Sequence, residues 1–60
     1  MIYKVEFEDV TEKPRETFYE IVRARDSQTA RSKVLKRLKG YGLERKNIKI
    51  LSARRISKND

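Results

Sequence analysis

The chain has 60 residues, a formal net charge of +7 with 42% charged residues, and neither cysteine nor histidine. Sixty residues support one small domain, and the missing thiol and imidazole groups exclude disulfides, thiolate metal sites and a histidine proton shuttle. Because no apolar run approaches the ~20 residues of a membrane-spanning helix, we expect a soluble, cytoplasmic protein that needs no cofactor.

The first predicted element is a β-strand over residues 2–8. Tyr3, Val5 and Phe7 alternate with charged residues, and this period of two is typical of a strand with one buried face. Residues 9–15 are polar and contain the only proline, which indicates a loop.

A second strand is predicted over residues 16–24, where apolar side chains fall on both faces. Together with the first strand and the loop it forms an antiparallel hairpin. One face carries Phe18, Val22 and Ala24, and the other carries Thr17, Tyr19 and Ile21.

A helix is predicted over residues 27–39. Asp26 and Ser27 are favourable N-cap residues, and Gly40 is expected to end the helix in the left-handed conformation that glycine adopts without steric cost. Four apolar residues have the spacing of one helical face, namely Ala30, Val34, Leu35 and Leu38.

A loop over residues 41–46 and a third strand over residues 47–56 complete the predicted domain, which spans residues 1–56. Residues 57–60 are expected to be a frayed tail. The resulting fold is α+β, a β-β-α-β domain whose three-stranded antiparallel sheet has the order 2-1-3, with the helix on one face. Strand parity places Ile48, Ile50 and Ile56 on one face and Leu51 and Ala53 on the other.

The charge is distributed very unevenly along the chain. Residues 1–26 contain five basic and seven acidic residues, whereas residues 27–60 contain eleven basic residues and only two acids. Like charges at this density repel one another, and a polyanion opposite them makes the arrangement tolerable; nucleic acid is the commonest polyanion.

The helix, the loop and the third strand therefore supply the candidate RNA-binding residues. Lysine and arginine neutralise phosphates without base-specific geometry, although the same pattern is compatible with a solvated face that keeps the protein soluble. Tyr41 is included because it could stack on a base or instead cover the end of the core, whereas Tyr3, Phe7 and Phe18 are expected in the core. The candidates are Lys33, Lys36, Arg37, Lys39, Tyr41, Arg45, Lys46, Lys49, Arg54 and Arg55.

Enzymatic activity is not expected. The serine and threonine residues have no neighbouring base, and the acidic pair Glu6 and Glu8 is typical of an exposed strand edge. Gly40 and Gly42 lack the further glycine and the flanking strand and helix of a dinucleotide-binding loop.

Several short motifs in residues 18–50 resemble the archaeal large-subunit ribosomal protein LX family. The resemblance implies a β-β-α-β core that docks on ribosomal RNA, and the basic motif of the family carries over most directly onto Arg45, Lys46 and Lys49. The motifs are Phe18, Val22-Arg23-Ala24, Ala30, Val34-Leu35 with Leu38, Gly40 and Ile48-Lys49-Ile50.

Three functions remain open from the sequence. The first is a structural RNA-binding protein, ribosomal or ribosome-associated, with neighbouring ribosomal proteins as further partners. The second is a protein–protein module or small regulator, phage-derived in one version, that acts by strand addition or dimerisation. The third is a non-specific DNA-binding protein, which shares the same electrostatics.

Overall fold

The structure is a computed structural model that describes residues 1–58. Its elements are β1 (Ile2–Asp9), β2 (Thr17–Arg23), α1 (Ser27–Gly40), a short 3-10 turn (Arg45–Asn47) and β3 (Ile48–Ser57). The strands form one antiparallel sheet in the order β2-β1-β3, and α1 packs on one face of it. The predicted α+β fold and strand order are confirmed.

The core lies between α1 and the central strand. β1 alternates strictly between buried and half-buried side chains, so the period of two in its sequence correctly identifies the face that meets the helix. Leu35, which was predicted on the buried helix face, is only half-buried. The buried apolar residues are Tyr3, Val5, Phe7, Val22, Ala24, Ala30, Val34 and Leu38.

The start of α1 follows the prediction. An Asp26 carboxylate oxygen accepts a hydrogen bond from the backbone N–H of Thr29 at 2.7 Å, which satisfies one of the free donors of the first turn. The hydrogen bonds from Thr29 hold the pKa of Asp26 below its ordinary value.

The end of α1 corrects the prediction for Gly40. Gly40 is helical and Tyr41 is the C-cap, while Gly42 adopts the left-handed conformation with φ +90°. The N–H of Leu43 bonds to the carbonyl of Leu38, and the N–H of Gly42 bonds to the carbonyl of Lys39, both at 3.0 Å. This paired arrangement is a Schellman motif, so the glycine that ends the helix is the second of the two.

Two irregularities in β3 correct its predicted faces. Glu6 pairs with Ser52 while Phe7 pairs with Ile50, so Leu51 is an extra residue; Ile56 is extra in the same way. Each extra residue reverses the parity of the strand. Ala53 therefore packs against the core, and Ile56 is 52% exposed.

The remaining boundary predictions need smaller corrections. Phe18 was expected in the core but is 39% exposed, because it lies on the edge strand with its ring centroid 5.8 Å from that of Phe7. Ser57 ends β3 and pairs with Ile2, so the predicted tail begins later than residue 57. Residues 59 and 60 of that tail lie outside the described part of the chain.

Candidate nucleic-acid interface

The turn after α1 positions a basic concave surface. Because Gly42 reverses the backbone at the end of the helix, Leu43 folds back and packs against the core. The residues that follow Leu43 then run beside the outer face of the last helical turns, and a groove forms between the helix and the loop.

This helix–loop groove has a volume of about 580 Å³. Leu35 and Leu43 provide its apolar contacts, and polar and charged side chains surround them. It is lined by Ser32, Leu35, Lys36, Lys39, Gly42, Leu43, Glu44 and Arg45.

Three cations line the groove without an acidic partner. Within residues 1–58, the side chains of Lys36, Lys39 and Arg45 make no ion pair or hydrogen bond, whereas Glu44 pairs with Lys46 at 3.3 Å. Among residues 1–58, Glu44 is the only acid that lines the groove, and it is already paired with a cation outside the groove. The uncompensated charge makes this groove complementary to a phosphate-bearing ligand.

Two candidate residues on α1 have a different role. The Lys33 ammonium donates to the carbonyl of Arg23 at 2.7 Å. Arg37 pairs with Glu20 at 2.9 Å and also donates to the carbonyl of Ile21 at 3.4 Å. These cations fasten the helix to the edge strand β2, so they are less free to contact a ligand than those of the groove.

The candidate residues on β3 lie away from the groove. Lys49 and Arg54 pair across the sheet with Glu8 and Lys4, whose side chains lie on the face that α1 leaves open. Arg54 also reaches a carboxylate oxygen of Glu6 at 3.4 Å. The alternation of strand side chains therefore separates these cations from the helix, and the structure divides the expected basic surface into two.

Arg55 and Tyr41 belong to neither of these two basic surfaces. Arg55 lies beside Tyr3 on the helix side of the sheet, with its guanidinium 3.9 Å from the sulfur of Met1. Tyr41 caps α1 through its backbone while its side chain is 70% exposed. It therefore does not cover the end of the core, and its ring is accessible for stacking beside the groove residue Gly42.

Sequence reasoning missed the residues that shape the groove. Ser32, Gly42 and Leu43 were not candidates, although a glycine followed by an apolar residue after a helix is the sequence pattern of a Schellman motif. The pattern was ambiguous because Gly40 and Gly42 compete for the same position. Choosing Gly42 would have predicted that Leu43 turns inward and brings Arg45 toward the helix.

Comparison with protein-family models, curated proteins and solved structures finds no match for this chain. The resemblance to the LX family therefore stays a prediction. Among residues 1–58, none of the helices has the length and apolar character required to cross a bilayer.

Proposed function

We propose that this protein is a small structural RNA-binding protein that contacts RNA phosphates through the helix–loop groove. The choice of RNA, and of a ribosomal or ribosome-associated setting, rests on the resemblance to the LX family. The groove supports the proposal physically, because its cations have no carboxylate partner within residues 1–58 and can therefore contact a ligand.

The single observation that carries the proposal is the pairing state of the cations. Arg37, Lys46 and Arg54 have carboxylate partners within 4 Å, whereas Lys36 and Lys39 have none among residues 1–58. A cation without a carboxylate partner can neutralise a phosphate without first breaking an ion pair, and the neutralised phosphate releases the counterions condensed on the nucleic acid. We therefore expect the groove to contribute more to binding than the paired cations do.

The test measures RNA affinity against salt concentration for the wild-type protein and for a triple variant, Lys36→Ala with Lys39→Ala and Arg45→Ala. Each phosphate contact contributes about 0.7 to 0.9 to the slope of log K against log salt. Losing three contacts should reduce the magnitude of that slope by about 2 to 3. These side chains are exposed and unpaired within the described chain, so circular dichroism should show an unchanged fold.

A matched control removes the same charge elsewhere from cations that are also unpaired within residues 1–58, by Lys13→Ala with Arg23→Ala and Arg31→Ala. These side chains are exposed and do not line the groove. The control should retain most of the wild-type slope of log K against log salt. An equal decrease of this slope in the two variants would mean that total charge rather than the groove sets the affinity. An affinity independent of salt would refute the proposal.

Two further measurements identify the nucleic acid. Competition with matched RNA and duplex DNA separates RNA binding from non-specific DNA binding, and preferential displacement by DNA would overturn the choice of RNA. Sedimentation of the native protein tests the ribosomal setting, since a ribosome-associated protein should migrate with ribosomal subunits and the groove variant should leave them at lower salt.

A further inference from the structure

The outer edge of β2 has a feature that the basic groove does not explain. A second cavity of about 420 Å³ lies beside the start of this strand. Three of its eight lining residues are acidic and none is basic, on a chain whose net charge is +7. The residues that line this edge notch are Phe7, Asp9, Glu12, Thr17, Phe18, Tyr19, Glu20 and Leu43.

The apolar part of the notch is accessible to a partner. Phe18 packs on Phe7 and still leaves 39% of its surface exposed, which an edge position allows. Hydrogen bonds from the hydroxyl and N–H of Thr11 hold the pKa of Asp9 below its ordinary value, so that this carboxylate is charged at neutral pH. The notch thus combines an exposed aromatic ring with an acidic rim, on which Glu12 is unpaired within residues 1–58 and Glu20 is paired with Arg37 at 2.9 Å.

Within residues 1–58, the carbonyl groups on the outer edge of β2 lack a hydrogen-bond partner only beside the notch. Alternate residues of an edge strand direct their N–H and C=O groups away from the sheet. Because the N–H of Ala24 bonds inward to Met1, the outward groups belong to residues 17, 19, 21 and 23. Lys33 and Arg37 donate hydrogen bonds to the carbonyls of Arg23 and Ile21, so within residues 1–58 only the outward carbonyls at residues 17 and 19 remain without a partner.

We propose that this free edge and the notch bind an extended basic segment of a partner protein, which adds a strand to β2. The backbone of the segment pairs with residues 17–19, one aromatic or aliphatic side chain contacts Phe18, and flanking cations meet Glu12 and Glu20. A basic partner is chosen because the rim of the notch is acidic, and the same charge disfavours a phosphate backbone here.

The probe is a seven-residue peptide with the order threonine, lysine, threonine, phenylalanine, threonine, lysine, threonine. In a strand, its phenylalanine and both lysines point to one side, where they can meet the notch. Binding is measured by fluorescence anisotropy at physiological salt, and amide NMR shifts locate the contact. We expect the largest shifts at Thr17, Phe18 and Tyr19.

Two control peptides isolate the two parts of the interaction. A version with glutamate in place of lysine should lose binding because it meets the acidic rim with like charge. A version N-methylated at the amides that face β2 should also lose binding because it cannot pair with the edge. Equal binding of either control would overturn strand addition by a basic segment.

Variants of the protein test the location. Glu12→Lys should lower the affinity for the peptide at least ~threefold. Glu44→Lys makes the same charge change at the helix–loop groove and should leave this affinity unchanged. Arg37→Ala should tighten binding about two- to fivefold, because it frees the carbonyl of Ile21 and the carboxylate of Glu20. This gain cannot arise from unfolding. With the fold shown to be unchanged by circular dichroism, an unchanged or weaker affinity for Arg37→Ala would refute the proposal.

Sedimentation of the protein alone tests for a competing occupant. If the chain forms a dimer that the peptide dissociates, a second copy covers the edge and the proposed partner is wrong. A monomer supports the proposal. None of these experiments uses nucleic acid, so their outcome does not depend on the proposed function.

Discussion

Replacing Gly42 with alanine should destabilise the protein, whereas the same change at Gly40 should not. Apart from the adjacent residues and the helix backbone, a Cβ at either position would meet no atom within 4 Å, so contact with the rest of the protein contributes nothing to the difference. The two glycines differ in backbone conformation alone, because Gly42 has φ +90° and Gly40 is helical.

The magnitude follows from that conformation. A residue with a Cβ in the left-handed region costs about 1 to 2 kcal/mol. Alanine in a helix is favoured over glycine by up to about 1 kcal/mol. In a domain of this size each kcal/mol shifts Tm by about 4 to 8 °C. Gly42→Ala should therefore lower Tm by roughly 4 to 16 °C, and Gly40→Ala should leave it unchanged or raise it.

Thermal unfolding followed by circular dichroism measures both variants under the same conditions. Urea unfolding at constant temperature provides the free energies directly, provided that the two variants share the wild-type m-value. If Gly40→Ala destabilised the protein more than Gly42→Ala, the helix would end at Gly40 and the description of the helix–loop groove would be wrong.

Two further predictions concern stability. Leu38→Ala should lower the free energy of unfolding by about 2 to 5 kcal/mol, because the side chain is only 3% exposed. Since the free energy of unfolding of a 60-residue domain is about 3 to 9 kcal/mol in total, circular dichroism should show a large unfolded fraction. A loss below about 1 kcal/mol would contradict the burial of this side chain. The free energy of unfolding should also decrease in acid, because the pKa of the N-cap carboxylate of Asp26 is lowered from 3.8 in the folded state. The stabilisation by this carboxylate is present above pH 3.8 and is lost as the pH falls through the folded-state pKa. Asp26→Asn keeps an acceptor for Thr29 and should lose less stability than the wild type between about pH 5 and pH 2, so identical acid profiles in urea titrations would contradict this assignment.

Much of the fold follows from local patterns. The alternation in β1 identified the buried residues Tyr3, Val5 and Phe7, and the helical spacing of Ala30, Val34 and Leu38 identified the face that meets them. These patterns are reliable because each element has one buried face, and burial of apolar surface is the main stabilising contribution.

The faces of β3 could not be obtained in the same way. Bulges at Leu51 and Ile56 add one residue each to the pairing with β1, and the local sequence contains no glycine or proline to mark them. A strict period of two therefore assigned Ala53 and Ile56 to the wrong faces. The register of β3 depends on how β1 and the helix fit together, which is a property of the whole sheet.

The basic residues also show what the sequence predicts and what depends on the folded structure. Charge counts showed that residues 27–60 carry an excess of cations, but counts do not reveal which cations are paired. Lys33 and Arg37 are close to Lys36 in sequence, yet they contact β2, whereas Lys36 lines the groove with Arg45. Which side chain is free depends on contacts between residues far apart in the chain.

The sequence alone predicts the element order, the strand order 2-1-3 and the buried faces of β1 and α1, because these features depend on short-range periodicity and on short connections. The packing of the elements against one another establishes that Gly42 ends the helix, that the sheet divides the basic surface, and that, within residues 1–58, the outward carbonyls of β2 lack a partner only at residues 17 and 19. Each of these features depends on the position of the loop and the helix relative to the sheet. This position is fixed by the packing of Leu43 against the core and by the hydrogen bonds of Lys33 and Arg37 to β2.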